Sequence, residues 1–421
     1  MTTVLIKNVT IIDPESPFHN QKVDLKIQDG KFIEIGNNLS KDNDTTEINI
    51  PDLHASQGWF DTSVSFGEPG YEDRETIANG LKTAALSGFT GVALQPNSHP
   101  VIDNQALVKF VLDKAQDQAT SLYPIGSLTI NSEGTDLAEL YDMKNAGAIA
   151  FGDYQKAIQN ANVQKIALQY VQDFDSLVIS FCQDNSVKGK GIVHEGVTST
   201  KLGLKGIPAL AEALHVARNL YLLEYTGGKM HIPTISTQES VQLIKEAKAK
   251  GLNISCSVAV HNLIHNDMVL DNFDSRYKVL PPLRDEATRK VLIEAVLDGT
   301  IDCITSDHNP LDIEHKKLEF DLAKDGTIGL ESAFGALLSI LPLEVVISKL
   351  TAGKKVFGLS QHTINTDNKA EISLFTTVEN WNFEKENILS KSKNSAFLGQ
   401  KMKGRSIGIY NNGKPEINFS I

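Results

Sequence analysis

Cysteine is scarce in this chain. Only Cys182, Cys256 and Cys303 occur in 421 residues, widely spaced and odd in number. That excludes a disulfide framework and the paired spacing of a zinc knuckle. Positive charge is also short, with 40 Lys and Arg against 52 Asp and Glu, a net charge of −12. Nucleic acid is therefore not an expected partner, because phosphate binding needs a positive footprint. No stretch approaches ~18 uninterrupted apolar residues, and the opening MTTVLIKNVTIIDPE has neither a long apolar segment nor a cleavage site. Neither a membrane span nor a secretory signal is expected, and the chain reads as soluble and cytoplasmic. Internal repeats and low-complexity tracts are lacking as well.

What is present is an ordinary globular composition, 41% hydrophobic and 22% charged, with 30 Gly and 14 Pro. These values exclude disorder and collagen-like repeats. The first fifty residues read as strands: Val4-Leu5-Ile6, Val9 to Ile12, Val23 to Ile27 and Phe32 to Ile35, the last pair separated by the turn signal Asp29-Gly30. From about Gly58 short apolar strands alternate with helical patterns. Strands are expected at 91–95, 149–151, 177–180, 254–258 and 301–305, and helices over 74–87, 207–220 and 240–250. Alternation sustained over roughly 300 residues predicts α/β architecture with a closed (β/α)8 TIM-type barrel. Strand patterns return at 370–375 and 406–410. The expected organisation is a barrel over 57–366 and a small composite β domain from 1–56 and 367–421.

In a parallel barrel the chemistry belongs at the C-terminal ends of the strands. There the sequence places Asp61-Thr62-Ser63-Val64-Ser65-Phe66-Gly67, Gln95-Pro96-Asn97, Phe151-Gly152-Asp153-Tyr154, Phe181-Cys182, His231 to Thr237, and Thr305-Ser306-Asp307-His308. With these strings, the stretch 189–208 (GKGIVHEGVTSTKLGLKGIP), Pro281-Pro282-Leu283-Arg284, Gly329-Leu330-Glu331 and the run 389–395 (LSKSKNS), nearly the whole chain resembles the dihydroorotases. These belong to the amidohydrolase superfamily, and the likeness is to the type that associates with aspartate transcarbamoylase. The resemblance implies a cyclic-amide hydrolase fold, pyrimidine biosynthesis, and zinc as the family cofactor.

The same resemblance calls for a His-x-His pair after the first barrel strand, a carboxylate after the fourth, histidines after the fifth and sixth, and an aspartate after the eighth. Such a set holds two ions that acidify a bridging water, with the last aspartate moving its proton. Here those positions carry Ser63, Ser65, Asp153, Phe181, Thr234 and Asp307. Four of six ligands are replaced, and no metal is expected. The arginine that would grip the substrate carboxylate falls on Gly67, an asparagine before the double proline on Leu280, and a second histidine on Leu311. The remnants are Asp307 as the catalytic position, Asn97 and His308 as substrate contacts, and Asp153 as a ligand.

Plainer roles stand beside these. Asp153 and Asp307 suit helix caps or local ion pairs equally well, and Asn97 suits a turn beside proline. His231 and His261 read as hydrogen-bonded structural histidines. Cys182 reads as a buried, inert thiol, since no base accompanies it, and Ser63 and Ser65 lie in no triad pattern. Lys354, Lys355, Lys391 and Lys393 read as solvated surface or helix ends. The expected function is a non-catalytic dihydroorotase homologue, a homodimer that partners aspartate transcarbamoylase. The alternative is an active cyclic-amide hydrolase with an altered site.

Overall fold

Trp59–Val64, Phe89–Leu94, Ser121–Gly126, Ala150–Phe151, Leu177–Ile179, Met230–Ile232, Ile254–Ala259 and Cys303–Thr305 pair side by side in sequence order, all parallel wherever their register is defined, in the computed structural model of the chain. The structure describes residues 3–42 and 45–419; residues 1–2, 43–44 and 420–421 lie outside the described part. The last strand returns to the first. Val64 bridges His308 in parallel, and Ser65 N–H donates to the His308 carbonyl at 2.7 Å. The circle is a closed (β/α)8 barrel, as the alternation predicts. Phe60, Ala93, Ile125, Ala150, Leu177 and Ile179 form a buried cluster of their own with Phe357. Side chains, rather than a pore, occupy such an interior.

The helices follow their local signals. The first begins at Ile77, three residues later than the periodicity suggests, because Thr76 caps it by accepting Asn79 N–H. The helix Ala209–Thr226 starts after Pro208 and runs past Leu220 until Gly227, which takes the left-handed conformation at φ 74°. Gln238–Ala249 is capped by Thr237. Among the described residues no helix is long and apolar enough to cross a membrane.

Strands from both ends of the chain build one further sheet. Its order is Lys414–Ile417, Lys401–Asn411, Ile372–Asn382, His54–Gln57, Thr3–Ile11, Lys22–Gln28 and Lys31–Gly36, with Thr45–Ile48 also pairing with Thr3–Ile11. The two early apolar runs are a single strand, irregular between Ile6 and Val9, where Asn8 adopts φ 54°. Asp29 and Gly30 both take positive φ between their paired strands, as a tight hairpin requires.

Trp59 joins this sheet to the barrel, packing on Phe334 and on Phe375 of the sheet. Lys354 joins them a second time. It is 3% exposed and paired with Glu371, which also accepts the Thr90 hydroxyl. The expectation of a solvated Lys354 is therefore corrected. Its short helix, Gly353–Val356, turns the side chain inward to a carboxylate that compensates its burial. Lys355, Lys391 and Lys393 are exposed, although the Lys391 and Lys393 amines donate to the Glu72, Ile388 and Ser390 carbonyls.

Candidate active site at the barrel mouth

Asp61 points from the first strand to the end of the eighth. It accepts the Thr305 hydroxyl at 2.5 Å, Ser306 N–H at 3.0 Å and Ser63 N–H at 3.1 Å. These bonds set the two strand ends beside each other and bring Ser63 to Asp307, whose Oδ1 accepts the Ser63 hydroxyl at 3.0 Å. Gln95 Nε2 donates in turn to Ser63 Oγ at 3.2 Å. Asp307 sits at φ 46° and is fully buried. Burial pushes its carboxyl up to about 7, opposed by the Ser63 hydrogen bond and reinforced by the nearby Asp61.

Two residues that follow Asp153 close over this carboxyl. The Tyr154 hydroxyl lies 3.5 Å from Asp307 Oδ1, and Gln155 Nε2 lies 3.4 Å from Oδ2 while donating to the Leu280 carbonyl at 2.7 Å. Neither residue stands out in the sequence, and adjacency to Asp153 is the only signal that marks them. Asp61 and Gln95 stand in the strand-end strings without a role there, although an acid inside an apolar strand is a usable hint.

The other predicted residues are dispersed by their partners. Asp153 faces away from Asp307 into the loop after the third strand. Its Oδ1 accepts the Ser127 hydroxyl at 2.8 Å, Leu128 N–H at 2.8 Å and Thr129 N–H at 3.0 Å, and its Oδ2 accepts the Thr129 hydroxyl. Three donors crowd Oδ1 and one lies on Oδ2, so the carboxylate is committed to this loop. Ser65 donates to Asn97 Oδ1 at 3.0 Å. Phe181 and Thr234 are buried, and Thr234 is held at φ 46°.

His308 lies behind the site. Its Nδ1 faces Gly329 and Leu330 N–H at 3.3 and 3.4 Å, its Nε2 is buried without a partner, and burial lowers its pKa to about 4. His231 is bonded between the Ser255 and Ser257 hydroxyls at 2.9 and 3.1 Å. His261 departs from expectation. The short helix Val260–Ile264 buries it, neither ring nitrogen has a hydrogen-bond partner, and desolvation lowers its pKa to about 3. Cys182 is buried, and desolvation raises its thiol pKa far above the usual range. Among the described residues no three His, Cys, Asp or Glu side chains group so as to hold a metal ion.

The sequence model of the family described as Dihydro-orotase-like matches residues 56–240. A dihydroorotase of Citrifermentans bemidjiense is 36% identical over 411 residues, spanning 96% of this chain and 97% of that relative. One from Pelotomaculum thermopropionicum is 38% identical over 411 residues, covering 95% of each. The chain belongs to the dihydroorotase family. An L-hydantoinase of Arthrobacter aurescens shares the fold at 19% identity, with a TM-score of 0.85 over 99% of this chain and 96% of the other.

Against the dihydroorotase pattern, the replaced contacts have local causes. A Cβ on Gly67 would lie 1.8 Å from the Tyr71 carbonyl oxygen, so no arginine fits that backbone. Leu311 is buried, with its N–H given to Asn394 Oδ1 at 3.0 Å. Leu280 precedes a cis proline and lends its carbonyl to Gln155.

Proposed function

We propose that this chain is a non-catalytic dihydroorotase homologue serving pyrimidine biosynthesis by contact, as a cytoplasmic homodimer that partners aspartate transcarbamoylase. The observation that carries this reading is the Ser63–Asp307 hydrogen bond beneath Tyr154 and Gln155. Where the family pattern calls for ligands aimed at two ions, this chain has hydroxyl, amide and carboxyl groups turned toward one another. The residues present do not fit a binuclear zinc centre. Two serines, a threonine and a phenylalanine replace imidazoles, and Asp153 is held by four donors of the 127–129 loop. A barrel keeps its packed interior without a metal, so its outer surface persists as a binding scaffold.

The alternative is an active cyclic-amide hydrolase with an altered site. It draws on the dihydroorotases at 36–38% identity and on a buried Asp307 carboxyl pushed up to about 7. Zinc analysis of the purified protein after dialysis, together with a dihydroorotate hydrolysis assay, separates the two. The scaffold reading expects neither stoichiometric zinc nor turnover, and expects co-purification with transcarbamoylase. One to two zinc ions per chain with measurable hydrolysis overturns it.

A further inference from the structure

The helix Ala209–Thr226 carries an apolar stripe on its outer side. Leu210, Leu214, Tyr221 and Tyr225 are 58%, 46%, 74% and 75% exposed. At about 100° per residue these four, with the half-buried Ala217 and Arg218 between them, fall within a single sector of about 100°. The helix Ala161–Tyr170 packs alongside and adds Ile166 and Tyr170, 43% and 41% exposed. Large exposed aromatic and aliphatic side chains in one contiguous region mark an interaction surface.

The spacing of the stripe reads the same in both directions. Leu210 and Tyr225, Leu214 and Tyr221, and Ala217 and Arg218 are each placed symmetrically about the point midway between 217 and 218. Such a helix complements an antiparallel copy of itself about a two-fold axis through that point. Each leucine then meets a tyrosine of the other copy, and the small Ala217 lets the helices approach at the centre.

Charge favours the same occupant. The chain carries −12 overall, so two copies repel unless they meet at a neutral face. Of the helix's charged residues, Glu212 is buried and bonded to Ser236 and Thr237. Arg218 is folded back onto the Ile158 and Gln159 carbonyls at 2.7 and 2.9 Å. Glu224 is the one fully exposed charged residue of this helix.

The area points the same way. The four stripe residues with Ile166 and Tyr170 expose a contiguous apolar surface of several hundred Å², a core around which the ~800 Å² per partner of a standard specific interface can form. A cavity of about 140 Å³ lies beside Tyr221, lined by Leu220, Leu243 and Leu252 and also by Glu224, Glu246 and Lys250.

We propose that the stripe on Ala209–Thr226 is the two-fold interface through which a second copy of this chain binds. The inference rests on the homodimer of the proposed function and names its surface. It is tested on the full chain alone, without transcarbamoylase, so that its failure leaves the scaffold and zinc results unaffected.

Sedimentation at micromolar concentration should give twice 46.0 kDa. The Leu214→Asp/Tyr221→Asp variant should weaken association by at least about thirtyfold while keeping the wild-type far-UV circular-dichroism spectrum, since truncating central aromatic anchors costs ~2 kcal/mol or more. Its melting temperature should lose the concentration dependence that a dimer confers. Ala217→Cys, beside the axis, should cross-link to its own counterpart on oxidation. Leu210→Cys should not, because symmetry sets its copies roughly 22 Å apart along the helices. A monomeric wild type, an undiminished dimer in the double variant, or cross-linking at 210 but not at 217 overturns the proposal.

Discussion

Ser63 gives its hydroxyl hydrogen to Asp307 across 3.0 Å at the barrel mouth, joining residues 244 positions apart in the chain. The bond takes up one of the two acidic positions that survive from the family pattern. Tyr154 and Gln155 lie against the same carboxyl, so its neighbours are neutral groups and the carboxylate of Asp61. A buried carboxyl in that setting suits a packed mouth and opposes ionisation.

Asp307→Asn should therefore stabilise the protein. At pH 8 the substitution removes a buried charge that faces a second carboxylate, while the amide oxygen keeps the Ser63 hydrogen bond. A gain of about 1–3 kcal/mol in urea unfolding is expected. A loss of stability of similar size would show that the carboxylate is better compensated than its partners indicate.

Asp153 should behave as a structural residue. Asp153→Ala leaves four donors of the 127–129 loop without their acceptor, and should cost about 2–4 kcal/mol in chemical denaturation. The metal content of the preparation should not change. Elemental analysis before and after the substitution, beside the denaturation curves, checks both statements.

Restoring histidines is expected to recover binding before chemistry. The combination Ser63→His, Ser65→His, Phe181→His and Thr234→His should raise zinc affinity above wild type, measured by competition with a chelator. Hydrolysis of dihydroorotate should stay absent, because Gly67 has no room for an arginine and Leu280 and Leu311 are committed to other contacts. Family-like turnover from these four changes would show that those contacts matter less than argued.

The stability that the buried histidines contribute should be lost as the medium is acidified below neutrality, against an opposite gain at Asp307, whose carboxyl is raised to about 7. Burial lowers His231 to about 4, with Asp302 opposing the shift and Lys248 adding to it, against about 6.5 for an unfolded histidine. The folded value is depressed, so this contribution is complete above about pH 6.5 and is lost as pH falls toward 4. At pH 5 the loss from His231 alone is about 2 kcal/mol. His215 and His265, also lowered to about 4 by burial, add to the wild-type decline. His231→Asn should flatten the difference in unfolding free energy between pH 7 and pH 5 by His231's share.

The barrel was legible because periodicity reports burial directly. Strands buried on both sides read as continuous apolar runs, and the helices between them keep an apolar face. Element ends were less so. The helix from Ala209 continues beyond its clearest periodicity to Gly227, and the first strand hides its bulge at Asn8. In the site, the replaced ligand positions were visible residue by residue, but their new partners were not. Nothing local in the sequence states that Asp153 meets residues 127–129, or that Tyr154 and Gln155 reach Asp307. Lys354 reads as solvated for the same reason, since its counter-ion Glu371 lies 17 residues away, just before the strand Ile372–Asn382.

The sheet that uses both chain ends has a consequence for biosynthesis. Strand Thr3–Ile11 leaves the ribosome early, yet His54–Gln57, its neighbour on one side, pairs onward with Ile372–Asn382, made more than three hundred residues later. At ~5–20 residues per second that interval lasts on the order of half a minute. Throughout it, apolar residues such as Val4, Ile6, Val9 and Ile11, all fully covered in the finished protein, lack part of their cover. Contacts so distant in sequence are slow to close. The nascent chain thus carries an open, apolar sheet edge for most of its synthesis, and a stalled or truncated product would be prone to aggregate at its beginning.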